Sequence, residues 1–269
     1  MLKQLRFDLY KIVKSKTIKI FLIVSAIACF VTPLVPVLEG GLLAGKWMMK
    51  TPFFNAIEGR APFLIYELVL LFPLVFGLKD YSSGYIKNIY TNVNKFYYVL
   101  SKVICILLYA IILRIAYFLA SFLVHCCFFN GKIKDLLYVE EQYHSINFTY
   151  FFLEQLLISL ASAVSGCFVL VVTLLFRKEF ISAIITLPYG LYLCNLLTYP
   201  LIALTYKIVK KMAIAEKLIC FSPFRLADLI QFNVNANNAF MNWMYVVAIV
   251  GYIGLSLLLS WLLVRKKNV

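Results

Sequence analysis

Residues 148–176 read FTYFFLEQLLISLASAVSGCFVLVVTLLF, an apolar run with one charged side chain, Glu154. A helix needs about 20 apolar residues to cross the roughly 30 Å hydrocarbon layer of a membrane, because each residue rises only about 1.5 Å. A strand of a transmembrane barrel has about 10 residues of alternating polarity, whereas this run is long and continuous. The stretch therefore predicts a membrane-spanning helix and disfavours a barrel.

Runs of the same kind recur along the whole chain. We predict six spans, at residues 20–38, 61–78, 103–129, 148–176, 180–204 and 243–264. The composition agrees, since 63% of the 269 residues are hydrophobic and 14% are charged, too few charges to cover a water-soluble fold of this length. We expect an all-α polytopic membrane protein with a single transmembrane domain, and not a soluble enzyme.

The lysines and arginines between the spans indicate the orientation of the chain. Six spans place both termini on one face, and that face carries the larger share of basic residues and the smaller share of acids. The positive-inside rule therefore predicts that both termini are cytoplasmic. The net charge of +14 then follows from topology and from contact with anionic lipid head groups, and no nucleic-acid partner is expected.

The first sixteen residues have an amphipathic pattern of their own. Apolar residues recur at helical spacing, with lysine and arginine around the rest of the turn; the apolar positions are Leu2, Leu5, Leu9 and Ile12. Residues 1–16 are predicted to form an interfacial helix along the inner leaflet, before the chain enters the first span. The alternative is a plain extension of that span.

Residues 79–102 form a mixed polar and aromatic connection between the second and third spans. Asp80 or Ser82 can cap a short helix here, and apolar side chains follow at helical spacing, namely Ile86, Ile89 and Tyr90. The apolar side of such a helix either faces a partner or belongs to a solvated connector. The pattern alone leaves both interpretations open.

Two motifs resemble catalytic or nucleotide-binding signatures, and neither fits. Gly40-Gly-Leu-Leu-Ala-Gly45-Lys46 resembles a phosphate-binding loop, but Trp47 stands where a serine or threonine would hold magnesium. Glu140-Glu-Gln-Tyr-His144 lacks the His-Glu-x-x-His order of metalloproteases and lies in an outer loop. We therefore predict no catalytic site, no metal site and no bound cofactor in this chain.

Polar residues inside the predicted spans are the candidates for an intramembrane role: Glu67, Arg114, Glu154 and Asn195. A charged side chain at the membrane centre costs about 2.5–3.5 kcal/mol on insertion scales, so it normally faces a bundle interior or water. Glu67 and Glu154 lie near the outer edge and can reach the interface. Arg114 lies near the middle and is predicted to form an internal pair or a polar pathway wall.

In their order along the chain, these segments resemble the membrane subunit of a type-2 ABC transporter, the ABC-2 permease family. The resemblance rests on Leu2-Lys-Gln-Leu-Arg-Phe-Asp-Leu-Tyr-Lys11, on Asp80-x-x-x-Gly84-x-Ile86-Lys-Asn88 leading to Ser101-Lys102, and on Ser222-Pro223-Phe224 before the last span. It implies an elbow helix at 1–16, a cytoplasmic coupling helix within 79–102 and outer helices within 205–242. Lys95 departs from the family pattern, which has an arginine a few residues before the Ser-Lys pair.

The resemblance also implies a function and partners. It implies a permease subunit of a bacterial ATP-driven exporter of the peptide, drug or immunity type, moving an amphiphilic substrate such as an antimicrobial peptide out through the plasma membrane. ATP and magnesium would bind a partner ABC ATPase, and the permease would pair with a second permease copy. The residues expected to contact the ATPase are Asp80, Tyr81, Ser83, Gly84, Ile86, Lys87 and Ile89. The alternative is a membrane-embedded enzyme or a non-transporting accessory subunit, with Arg114 and the outer loops as its site.

Overall fold

The computed structural model describes residues 1–43, 63–82, 94–128, 148–176, 207 and 239–266. Within these ranges the chain forms helices and no strand. The helices are α1 (Leu2–Lys14), α2 (Lys16–Leu43), α3 (Phe63–Ser82), α4 (Lys95–Phe128), α5 (Phe148–Phe176) and α6 (Ala239–Lys266). The predicted all-α class therefore holds for the described part of the chain.

Four of these helices contain a stretch long and apolar enough to cross a membrane, within the residues described. The stretches are Lys16–Leu34, Lys95–Val124, Gln155–Phe176 and Trp243–Lys266, and α3 adds a shorter apolar stretch, Leu68–Gly77. Large apolar side chains stand exposed on the outward faces of α2, α4 and α6, for example Ile27, Ile112 and Val247. A soluble monomer rarely exposes apolar surface on this scale, so the protein is embedded in a membrane.

Most helices extend beyond the predicted spans. α5 has the predicted bounds, whereas α2 and α6 are longer at both ends. α3 continues through Ser82 and α4 begins at Lys95, so the predicted connection 79–102 is helical at both of its ends. Hydropathy identifies only the part of a helix that lies in the hydrocarbon layer. The helical backbone hydrogen bonds continue into the polar residues before and after that part. The predicted span 180–204 lies outside the described residues, as does most of the predicted outer segment 205–242.

Ser15 separates α1 from α2. Its backbone is extended, with φ −70° and ψ 123°, and its N–H donates to the Lys11 carbonyl, which closes α1. Its side-chain oxygen accepts a hydrogen bond from the Ile18 N–H at 3.4 Å, as an N-cap residue does at the beginning of a helix. The N-terminal segment is therefore a separate helix and not a continuous extension of α2.

Facing residues show that α2 and α4 run in the same direction. The hydroxyls of Ser25 and Tyr109 lie 2.8 Å apart, and the Cys29 thiol donates to the Leu113 carbonyl at 3.8 Å. The contacts occur in the same order along both helices. The beginnings of α2 and α4 therefore lie at the same end of the bundle.

α3 and α5 run parallel to each other and opposite to α4. Gly77 of α3 faces Thr173 of α5, and the Val69 carbonyl faces Gly166. A salt bridge from Asp80 to Lys102 brings the end of α3 to the beginning of α4.

α6 is parallel to α5. Tyr245 belongs to the same core cluster as Ile158, and further along both helices the Tyr252 ring packs edge-on against the Phe168 ring, with centroids 6.1 Å apart. The beginnings of α2 and α4 and the ends of α3, α5 and α6 therefore share one end of the bundle. We call it the α1 end, because α1 packs there.

A column of aromatic rings fills the core between α2, α3 and α4. Phe72 stacks on Tyr109 with ring centroids 4.2 Å apart, and Phe76 stacks on Phe72 at 5.4 Å. Phe21 of α2 packs against the same column, 6.0 Å from Tyr109. The column ends at Phe76, whose ring lies next to the polar side chains at the α1 end.

Candidate functional site

Three helices contribute polar side chains to one buried cluster at the α1 end. α1 supplies residues spaced i, i+4 and i+7, which lie on one helix face. α3 supplies one residue of its last turn, and α4 supplies three residues of its first turns. We call this set the ionic cluster: Gln4, Asp8, Lys11, Asp80, Tyr98, Ser101 and Lys102.

Lys102 occupies the middle of the ionic cluster. Its ammonium nitrogen donates to Asp8 Oδ1 at 2.7 Å and to Asp80 Oδ2 at 2.7 Å, and all three side chains are 1% exposed. The same nitrogen lies 3.8 Å from the centroid of the Phe76 ring, a distance at which a cation is attracted to the ring face. A single side chain of α4 therefore ties α1 to α3.

Further hydrogen bonds hold the two carboxylates. The Lys11 ammonium bonds Asp80 Oδ1, and the Tyr98 hydroxyl donates to Asp80 Oδ2 at 3.0 Å. Ser101 donates its hydroxyl to Asp8 Oδ2, and the Gln4 amide reaches the same oxygen at 3.4 Å. Each carboxylate thus combines at least one ammonium donor with a neutral donor, the pattern that a buried ion requires.

The charges of the cluster balance. Asp8 and Asp80 carry two negative charges, and Lys11 and Lys102 carry two positive ones. Removing one partner of a buried pair typically costs about 3–5 kcal/mol, because the remaining charge is left uncompensated in a medium of low polarity. The cluster therefore resists any movement that separates α1, α3 and α4. Its buried ion pairs hold these three helices together.

The described residues contain no group of three or more histidine, cysteine, aspartate or glutamate side chains that could hold a metal ion. The two carboxylates of the ionic cluster already accept hydrogen bonds from within the chain. Their arrangement favours a structural or mechanical role over a reactive one.

A second polar contact lies deeper in the bundle, between α4 and α5. The Arg114 Nε donates to Gln155 Oε1 at 2.8 Å, and the guanidinium carbon lies 5.7 Å from the Tyr117 ring centroid. Arg114 is 5% exposed, so it faces the protein interior, as a charged residue in a span is expected to do. The hydrogen-bond acceptor at Nε is thus a neutral amide. The side chains of Glu67 and Glu154 lie outside the described part of the structure.

Gly166 allows a close approach between α3 and α5. A Cβ atom at this position would lie 3.2 Å from the Val69 carbonyl oxygen and 3.0 Å from Ile106 Cγ2. Pro73 lies four residues after Val69 within α3 and has no N–H, so it cannot donate the usual helical hydrogen bond to that carbonyl. The carbonyl instead faces the bare backbone of Gly166.

The predicted coupling residues fall mostly outside the described chain. Asp80 does not cap a separate short helix, because α3 continues through it to Ser82, and its carboxylate is buried in the ionic cluster. Tyr81 is helical, but its side chain is outside the described part. The remaining predicted positions lie outside the described residues: Ser83, Gly84, Ile86, Lys87, Ile89 and the intramembrane candidate Asn195.

Sequence reasoning missed the inner face of α1. Lys11 was assigned with the other basic residues to the polar side of an interfacial helix, and Gln4 and Asp8 were given no role. All three side chains instead belong to the ionic cluster between α1, α3 and α4. The available signal was the isolated Asp8 among basic residues, since an acid in a basic helix often has a buried or paired role. Tyr98 gave no such signal, because aromatic residues are ordinary near a membrane interface.

Comparison with known proteins identifies no family for this chain. No protein-family model matches the sequence, and no curated protein matches it.

Proposed function

We propose that this chain is the membrane-spanning subunit of an ATP-driven ABC exporter of the ABC-2 permease type, pairing with a second permease copy and with a separate ATPase. One observation carries the proposal: the ionic cluster joins the opening segment, Asp80 and Ser101-Lys102. These segments also carry the sequence resemblance to that family. Their convergence gives them a common physical role.

The position of the cluster suits the coupling of a docked ATPase to the bundle. The chain leaves α3 at Ser82 and enters α4 at Lys95, and five of the seven predicted ATPase-docking residues lie between these two points. Asp80 and Lys102 stand on the two sides of this connection and bond each other. A displacement of the connection would therefore move α3 and α4 together, and Asp8 would carry α1 with them. Two bundle arrangements could then be selected by two nucleotide states of the partner.

The helix directions support a six-span chain with both termini on one side. α5 ends at the α1 end, whereas α6 begins at the opposite end and runs parallel to α5. The segment between them must therefore return across the bundle, which the predicted span 180–204 would do. The ends of α1 and α6 carry exposed basic residues, which under the positive-inside rule supports the proposal that the α1 end is cytoplasmic.

The energy source and cargo follow from the same proposal. The only phosphate-loop-like stretch in the sequence has Trp47 at the magnesium position, so ATP and magnesium are assigned to the partner. The cargo class is an amphiphile, an amphipathic peptide or a drug, moved outward. Arg114 of α4 and Gln155 of α5 form a polar contact inside the bundle. In this proposal they belong to the wall of the cargo pathway.

The test is affinity purification of the full chain from its native membrane in mild detergent, with mass spectrometry of the proteins that remain bound. We expect an ATP-binding protein to co-purify with the native chain. Ile86→Asp, within the predicted docking helix, should release it. Lys46→Gln, on the predicted outer side, is the matched control and should retain it.

Two outcomes would overturn the proposal. If no ATP-binding protein is retained by the native chain, the permease assignment fails. If one is retained equally by the native chain and by Ile86→Asp, the ATPase docks elsewhere and the coupling role of residues 79–102 fails. The orientation is checked separately with a membrane-impermeant maleimide on intact cells: Cys127, exposed at the far end of α4, should react in a variant that keeps only this cysteine.

A further inference from the structure

The outer face of α1 combines apolar and basic side chains in two adjacent strips. Leu2, Leu9 and Val13 lie on one strip and are 75%, 40% and 62% exposed. Next to them around the helix, at 100° per residue, stand the exposed residues Arg6, Lys3, Lys14 and Tyr10. A helix with such a pair of strips lies in a membrane interface, with its apolar strip among acyl chains and its basic strip at the head groups.

The ionic cluster makes this surface uniformly cationic. Asp8 and Asp80 are the carboxylates described at the α1 end, and both are buried and bonded to lysine. The exposed cations there have no exposed carboxylate beside them among the described side chains; they are Lys3, Arg6, Lys14, Lys16, Lys19, Arg265 and Lys266. Folding thus removes the one acid of α1 from the surface and leaves its cations outside.

We propose that the outer face of α1 is a docking surface for anionic membrane lipid, selected by its phosphate head group. Charge complementarity favours an anionic occupant. α2, which follows α1 directly after Ser15, also exposes apolar side chains in its first turns, namely Ile20, Ile23 and Val24, which suit contact with acyl chains. A lipid meets both requirements at once. The inner face of α1 bonds Lys102, so lipid on the outer face also holds the ionic cluster closed. This inference does not depend on the exporter function.

Hydrogen exchange of the full chain in nanodiscs tests the proposal. The discs contain phosphatidylcholine alone, or phosphatidylcholine with phosphatidylglycerol, and the amides of α1 are followed by mass spectrometry. One basic residue near an anionic surface contributes about a fivefold preference, so three contribute about 100-fold at low salt. We expect exchange in α1 to slow by up to that factor in anionic discs, and the difference to shrink as salt is added.

Matched variants separate the outer face of α1 from general surface charge. The combined variant Lys3→Gln, Arg6→Gln, Lys14→Gln changes exposed side chains outside the ionic cluster and should lose the dependence on anionic lipid. The variant Arg265→Gln, Lys266→Gln removes cations at the end of α6 and should keep it. Equal exchange in both kinds of disc, or an unchanged lipid response in the combined α1 variant, would overturn the proposal. Protection that requires two copies per disc, regardless of lipid charge, would assign the surface to a second copy and overturn it as well.

Discussion

Replacing Lys102 by methionine would remove the ammonium at the centre of the ionic cluster while keeping a side chain of similar length. Among the described side chains, Asp8 would lose its only ammonium partner, which lies 2.7 Å from its Oδ1, whereas Asp80 would keep Lys11. The cluster would then hold two carboxylates and one lysine at nearly complete burial. An uncompensated buried charge of this kind costs about 3–5 kcal/mol. For a chain of this size, that corresponds to a fall of roughly 6–20 °C in Tm.

The measurement is thermal unfolding of the purified full chain in detergent, followed by the loss of its monodisperse peak in size-exclusion chromatography. Lys3→Met is the matched control, since Lys3 is exposed on α1 and should leave Tm nearly unchanged. The double variant Lys102→Met, Asp8→Asn removes the stranded charge and should recover part of the loss. The reasoning is refuted if Lys102→Met unfolds at the same temperature as Lys3→Met, or if the double variant is no more stable than Lys102→Met.

Further variants test the remaining contacts by the same unfolding measurement. Gly166→Ala forces a Cβ against the Val69 carbonyl and should destabilise by about 1–3 kcal/mol, whereas Gly254→Ala, whose Cβ would meet nothing within 4 Å, should be neutral or slightly stabilising. Arg114→Met and Gln155→Leu should each destabilise, and a double-mutant cycle should give a coupling of about 1–3 kcal/mol; additive effects would contradict their hydrogen bond. Tyr98→Phe removes one donor to a buried carboxylate and should cost about 1.5–3 kcal/mol, with an unchanged Tm as the contradicting result.

The membrane-spanning character of the chain could be predicted from sequence because it depends on local composition. The hydrocarbon layer requires a fixed length of apolar helix, and residues 148–176 meet that length without reference to any other part of the chain. α5 has those bounds in the structure. The ends of the other helices were less predictable, since polar residues near the interface can continue a helix or begin a loop at similar cost.

The ionic cluster was not predictable in the same way, because it depends on which distant charges meet. Asp80 was predicted to contact the ATPase and Lys102 to end the same connection, and nothing in their local sequence indicates that they bond each other. For α1, periodicity gave the helix but not the orientation of its faces. Leu5 and Ile12 pack against the core, while Leu2 is exposed, because the carboxylate of Asp8 turns toward Lys102.

Arg114 shows the intermediate case. The cost of a charge in the membrane predicts that it faces inward, and it does. The identity of a partner on α5 was beyond sequence reasoning, since the rotation of that helix decides which of its side chains face α4. Among the described side chains of α5, Gln155 accepts a hydrogen bond from Arg114.

The separation of the cluster residues along the chain also bears on biogenesis. Asp8 and Lys102 are 94 residues apart, so at about 5–20 residues per second the ribosome needs roughly 5–20 s to deliver the partner of Asp8 after Asp8 itself. Until then α1 lacks the bond from Asp8 to Lys102 that ties it to α4. A chain that inserts α3 and α4 upside down places Lys102 on the wrong side of the membrane and leaves Asp8 without it. Closure of the cluster is thus a checkpoint at which correctly inserted chains become distinguishable from misinserted ones.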